Sequence, residues 1–142
     1  MPITNEPISA MVPFETFWAR LKAQLSQLPG TEPGTHVRTV RKWSQLQDYF
    51  GGEFALLYRG GNVITCETGT TNNVRTGIST AEFRKVYGAW REYRAGRVRR
   101  KFIAQDLGVQ NASWIIPILR EYEPLMQDAA TSAEDDRHAA RR

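Results

Sequence analysis

The sequence predicts an α+β fold: a short antiparallel sheet around a β-hairpin, with an N-terminal helix and a C-terminal three-helix cluster. Three observations carry this expectation. Apolar residues recur at helical spacing over residues 14–28 and again over 83–93. Two runs rich in strand formers, "EFALLYR" and "NVITCET", flank Gly60-Gly61. Gly96, Gly108 and Pro124 then divide the last third of the chain into short helical pieces. A chain of 142 residues, 41% apolar, is the size of one domain with a core of its own.

Residues 1–12 are expected to form a flexible N-terminus, residues 13–126 a single globular domain and residues 127–142 a disordered tail. Pro13 pre-sets its backbone angle for a helix start, and Phe14, Phe17, Trp18, Leu21, Leu25 and Leu28 supply one oily face until Pro29-Gly30. "VRTV", residues 37–40, reads as a short strand, and "KWSQLQDYF", residues 42–50, as a short helix. Gly60-Gly61 as a two-residue hairpin loop sets Leu57 opposite Ile64 and Ala55 opposite Cys66. Phe54, Leu56, Tyr58 and Val63 then fall on the other face, so both faces carry apolar side chains. Cys66 is expected to be buried. "GTTNNVRTG", residues 69–77, is a loop by composition.

The next helix is marked twice at its start. Ser79 and Glu82 have the spacing of a capping box, and Ile78 and Phe83 that of a hydrophobic staple. Phe83, Val86, Tyr87, Trp90 and Tyr93 line one face, and Gly96 ends the helix in the left-handed conformation. A second helix is expected over 98–107, burying Phe102, Ile103 and Leu107 before Gly108. A third is expected to be capped by Ser113 and to run to Tyr122, with Pro117 in its first turns.

Charge is unevenly distributed. The net charge is only +4, yet residues 75–101 hold nine of the nineteen basic side chains and two acids. The nine are Arg75, Arg84, Lys85, Arg91, Arg94, Arg97, Arg99, Arg100 and Lys101. The remainder of the chain has ten bases against thirteen acids. Such segregation suits a polyanion. Seven of the nine are arginines, whose planar forks pair with phosphate oxygens. A solvated helix face would show similar charge.

Residues 100–119 resemble a helix-turn-helix element. Ala104 supplies the small residue of its first helix, Gly108 the turn, and Ile103, Leu107, Val109 and Trp114 the packing between helices. The resemblance covers about twenty residues and implies DNA binding. Carried over by position, it turns Gln110, Asn111, Ala112, Ile115 and Ile116 outward. Gln110, Asn111 and Ser113 are then the candidates for reading base edges, alongside Asn72, Asn73 and Arg75 of the preceding loop. Ile115 and Ile116 depart from the pattern, since isoleucine does not suit a wet groove, and are expected in a core or a dimer interface. The succession of hairpin, "FRKVYGAW", basic turn and "SWIIPIL" is also similar to accessory segments of bacterial restriction or mobile-element proteins.

The expected function is therefore non-catalytic DNA binding in transcriptional or mobile-element control, with RNA as a related target and a homodimer as a natural assembly. No cofactor is called for. Two histidines and one cysteine do not make a four-ligand zinc site, and no phosphate-cradling "GxxxxGK[ST]" occurs. A metal-dependent nuclease would draw on Glu53, Glu67 and Glu82. A protein-binding adaptor would use the tryptophans. The opening residues lack a basic start and an apolar core, and no run of eighteen apolar residues occurs, so a cytoplasmic protein without a membrane span is expected.

Overall fold

The computed structural model describes residues 11–30, 35–44, 52–68 and 73–127, without the side chains of 68 and 73–76. The fold is α+β, with an N-terminal helix, a four-stranded antiparallel sheet and C-terminal helices. Helix α1 spans Phe14–Leu25 behind Pro13, which is extended (φ −58°, ψ 154°) and so stands just before the helix. Phe17, Leu21 and Leu25 are fully buried. The helix stops before Pro29-Gly30. Gly30 is required there, because a Cβ on it would overlap the Thr35 carbonyl.

Strands β1 (His36–Arg41), β2 (Glu53–Tyr58), β3 (Val63–Thr68) and β4 (Asn73–Ser79) lie in sequence order across the sheet. The hairpin register differs from the expectation by one residue. Leu56, not Ala55, faces Cys66, and Leu57 faces Thr65. Asn62 joins the two glycines, φ +95° and +78°, in a longer turn. A one-residue slip exchanges the faces of a strand. Phe54, Leu56, Tyr58, Ile64 and Cys66 therefore share one buried face, while Val63 is 47% exposed. Both faces do carry apolar side chains, but Ala55 and Leu57 on the second face are only half-buried.

The segment read as a loop over 69–77 is in part strand β4, because its backbone pairs with β3 through a bulge between Ile64 and Cys66. Gly77, at φ +76°, supplies the backbone angle there. The short helix expected over 42–50 falls mostly outside the described residues, and Lys42–Ser44 are not helical. Residues 128–142 also lie outside them. Residues 11 and 12, placed in the flexible N-terminus, are tied down instead. The Val12 N–H donates to the Met126 carbonyl at 2.8 Å, and Met11 bridges to Gln127.

Helix α2 (Thr80–Arg94) begins after Ser79 as expected, but no capping box forms. The Ser79 side chain makes no cap bond, and Glu82 is held elsewhere. The far end follows the expectation. Gly96 takes φ +82°, its N–H donates to the Tyr93 carbonyl at 3.0 Å, and the Arg97 N–H donates to the Glu92 carbonyl at 2.9 Å. These two bonds are the Schellman closure.

The helix expected over 98–107 is shorter and differently wound: Phe102–Asp106 form a π-helical turn. Its bond from the Leu107 N–H to the Phe102 carbonyl, 3.1 Å, spans five residues, and Gly108 (φ +69°) ends it. Only Ile103 is buried here; Phe102 and Leu107 are half-buried. Helix α3 (Ala112–Glu121) starts two residues ahead of the expected start, with Asn111 rather than Ser113 before its first turn. Ile115 and Ile116 are buried within the single chain, as are Ile118 and Leu119. Helices α1 and α3 both pack on α2, and α3 also packs on β1. Phe17 stacks on Tyr87 (4.9 Å between centroids), and Phe54 meets Trp114 edge-on at 5.1 Å.

Candidate nucleic-acid interface

Eight of the nine cations fall into three situations, and the side chain of the ninth, Arg75, lies outside the description. Arg94 is drawn inward. Its guanidinium donates to both Glu123 oxygens and lies 5.3 Å from the Trp43 ring centroid. Glu123 is 7% exposed and also accepts from Trp90 Nε1 at 2.8 Å and from Arg120 at 3.5 Å. Arg120 in turn sits 5.2 Å from the same Trp43 centroid. This cluster locks α2 to the chain after α3. It removes Arg94 from the candidate surface, because moving it would strand a buried carboxylate. The sequence carried a usable signal: Arg94 follows the buried Trp90 by four residues and so shares its face.

Arg84 and Arg97 are exposed and paired. Arg84 donates to Glu15 and lies 4.7 Å from the Phe14 centroid. Arg97 donates to Glu92. These bonds hold both carboxyls below the usual carboxylate range. The side chains of Arg84 and Glu15 are 54% and 72% exposed, and those of Arg97 and Glu92 are 59% and 48%. Ion pairs this exposed contribute little to stability. A phosphate can replace either carboxylate at small cost.

Lys85, Arg91, Arg99, Arg100 and Lys101 are exposed. Helical spacing sets Arg84 and Arg91, seven residues apart, on one outward line of α2, with Lys85 beside them. The turn after Gly96 carries Arg97, Arg99, Arg100 and Lys101. Seven exposed cations thus lie on α2 and in the turn after it, and Glu15 and Glu92 bind Arg84 and Arg97. Arg75 belongs to β4, not to a loop, and its side chain is outside the description. Asn72 lies outside the described residues.

The base-reading candidates separate. Gln110 and Ser113 are exposed at the start of α3. Asn111 is 8% exposed, and its amide donates to Glu82 Oε1 and Oε2 at 3.0 and 2.9 Å. It is committed to the junction of α2 and α3 and has no donor to offer a base. The outward set implied by the resemblance is further reduced, since Ala112, Ile115 and Ile116 are buried. Glu82 at one end of α2 and Glu92 near the other stand ten residues apart. Gln110 and Ser113 are thereby set about 15 Å along the helix from the basic turn.

Sequence reasoning missed a second cationic group. Arg38 reaches from β1 to Glu121 and lies 5.5 Å from the Tyr122 centroid. Among the described residues, no hydrogen-bond partner meets the geometric criterion for its buried Nε or for the buried Tyr122 hydroxyl. The carboxylate on the same guanidinium makes this a structural contact between β1 and α3.

Among the described residues, no group of three histidines, cysteines or acids is placed to hold a metal ion. No helix among them is long and apolar enough to cross a membrane. Comparison with protein-family models, with curated proteins and with solved structures finds no match.

Proposed function

We propose that this chain is a non-catalytic DNA-binding protein that grips the phosphate backbone through the outward face of α2 and the turn that follows it. The observation that carries the reading is the run of exposed cations: Arg84, Lys85, Arg91, Arg97, Arg99, Arg100 and Lys101. An apolar scaffold supports them. Tyr87 and Trp90 anchor the inner face of α2, and Gly96 fixes the direction in which the turn leaves. Phosphate contacts of this kind give affinity and orientation without reading sequence. Gln110 and Ser113 are the remaining polar side chains at the start of α3 for contact with base edges. Transcriptional or mobile-element control is the setting that the helix-turn-helix resemblance implies. A homodimer would place two such ridges on paired half-sites.

The test is a gel shift on a 30-base-pair duplex over a series of salt concentrations. It compares wild type with the triple variant Arg99→Ala/Arg100→Ala/Lys101→Ala. Removing three phosphate contacts should weaken binding and reduce the magnitude of the slope of log K against log salt by about 2.7. Equal binding and equal slope would remove these residues from the site. A matched RNA duplex distinguishes the two polyanions.

A further inference from the structure

The sheet has two faces, and the helices use one of them. Val40, Phe54, Leu56, Tyr58, Ile64 and Cys66 belong to the same buried cluster as the inner faces of α1, α2 and α3. The residues between them in each strand point the other way. On that second face Val37 pairs with Leu57, Leu57 with Thr65, and Thr39 with Ala55. Val37, Ala55 and Leu57 are half-buried, yet they neither join the core nor pack against it. Thr39 and Val63 are exposed. The centre of this face is thus apolar. Among the described residues, the core and the helices that share it lie on the other side of the sheet.

Opposite charges stand at the two ends of its central strand. Glu53 opens β2 and Arg59 follows it, six residues apart, both exposed. That is about 20 Å at 3.4 Å per residue. The even spacing keeps Arg59 on the face of Leu57, where its Nε donates to Thr35 Oγ1 at 3.2 Å. The midpoint falls between Ala55 and Leu57. We propose that two copies of this chain meet through this face, about a two-fold axis that crosses β2 at that midpoint. The rotation sets Glu53 against the partner's Arg59, and Arg59 against the partner's Glu53. It also sets Ala55 against the partner's Leu57, small against large, and Thr39 against the partner's Val37. An axis along β2 would set Glu53 on Glu53 and Arg59 on Arg59, which like charge opposes. An apolar centre inside a polar rim is the anatomy of a protein contact, and a two-fold contact uses one patch twice. Stacked sheets lie about 10 Å apart and about 30° out of line, a gap that Glu and Arg side chains can span. Among the described residues the face has no aromatic ring on which a base could stack, so nucleic acid is not its occupant. Three strands about 4.8 Å apart, over about 20 Å of length, give roughly 300 Å² in plan. A stable dimer needs about 800 Å² per partner, so this pair is weak and reversible. The inference is independent of DNA binding, and it leaves the outward face of α2 uncovered.

The experiment is sedimentation equilibrium on the full chain, without DNA, up to submillimolar concentration. Wild type should show a monomer–dimer equilibrium. Glu53→Arg and Arg59→Glu should each weaken it about tenfold or more, because each turns two opposite-charge contacts into two like-charge ones. An equimolar mixture of these two variants should associate about as tightly as wild type, since every charged contact between them joins opposite signs. The double variant Glu53→Arg/Arg59→Glu should recover in the same way. Thr39→Lys, at an exposed position, should weaken the dimer by setting an ammonium against the partner's Val37. It decides the matter should a charge variant prove unfolded by its urea midpoint. A wild type that stays monomeric overturns the inference, and so does a dimer that these variants leave unchanged. Association lost in the single variants and not recovered in their mixture also overturns it, because the axis is then wrong.

Discussion

Asn111 and Glu82 are bound to each other across 29 residues of sequence. The Asn111 side-chain amide donates to both Glu82 oxygens, and its backbone N–H adds a third bond at 3.2 Å. The pair fastens the first turn of α2 to the residue that precedes α3. It takes the place of the reciprocal cap that the spacing of Ser79 and Glu82 suggested.

Asn111→Ala should therefore act on stability and leave phosphate binding unchanged. Hydrogen bonds to a charged partner contribute about 1.5–3 kcal/mol, and the loss leaves a half-buried carboxylate without its donors. A urea titration should show a loss near the middle of that range. A gel shift on the same protein, kept below its unfolding transition, should show the wild-type salt slope. A changed slope would mean that Asn111 is a contact residue after all.

The hairpin register makes a prediction between two neighbours. Leu56 is fully buried and Leu57 only half-buried on the opposite face. Leu56→Ala should cost about 2–5 kcal/mol as a buried leucine truncation, and Leu57→Ala about 1 kcal/mol or less. Equal costs, read by chemical denaturation, would restore the register in which both faces are covered.

Cys66 predicts how stability depends on alkaline pH. Burial pushes its thiol up to about 12 from an ordinary 9. The unfolded thiol ionises near pH 9 while the folded one stays protonated. Stability is thus fully present below pH 9 and is lost as pH rises toward 12, at about 1.4 kcal/mol per pH unit. Tyr87, pushed up to about 12 by burial, adds a like loss above pH 10. Urea midpoints measured from pH 8 to 10 should fall for wild type. Cys66→Ala should show a shallower fall over the same range, whatever its stability at pH 8. Parallel curves would show that the thiol does not titrate differently in the two states.

Parts of this fold were legible because a local signal sufficed. The apolar faces of α1 and α2 repeat every three to four residues, and Gly96 ends α2 by a backbone angle that other residues rarely adopt. The hairpin itself was legible from Gly60-Gly61, but its register was not. Loops of two and three residues differ only in whether Asn62 counts as strand, and composition does not choose between them. Strand β4 was hidden because asparagine, threonine and glycine read as a loop until β3 offers a partner. The candidate surface was legible as a charge density and illegible as a pairing. Nothing near Arg94 in the sequence shows that Glu123 and Trp43, far away along the chain, bind it.

The bridge between Met11 and Gln127, with the bond from Val12 to Met126, has a mechanical consequence. A molecule stretched by handles at residues 11 and 127 meets this contact before any other described part of the fold. Antiparallel backbones pulled apart from one end separate one bond at a time, so the resistance there is low. In an optical trap, extension should begin with the parting of residues 11–12 from 126–127 while the sheet is still intact.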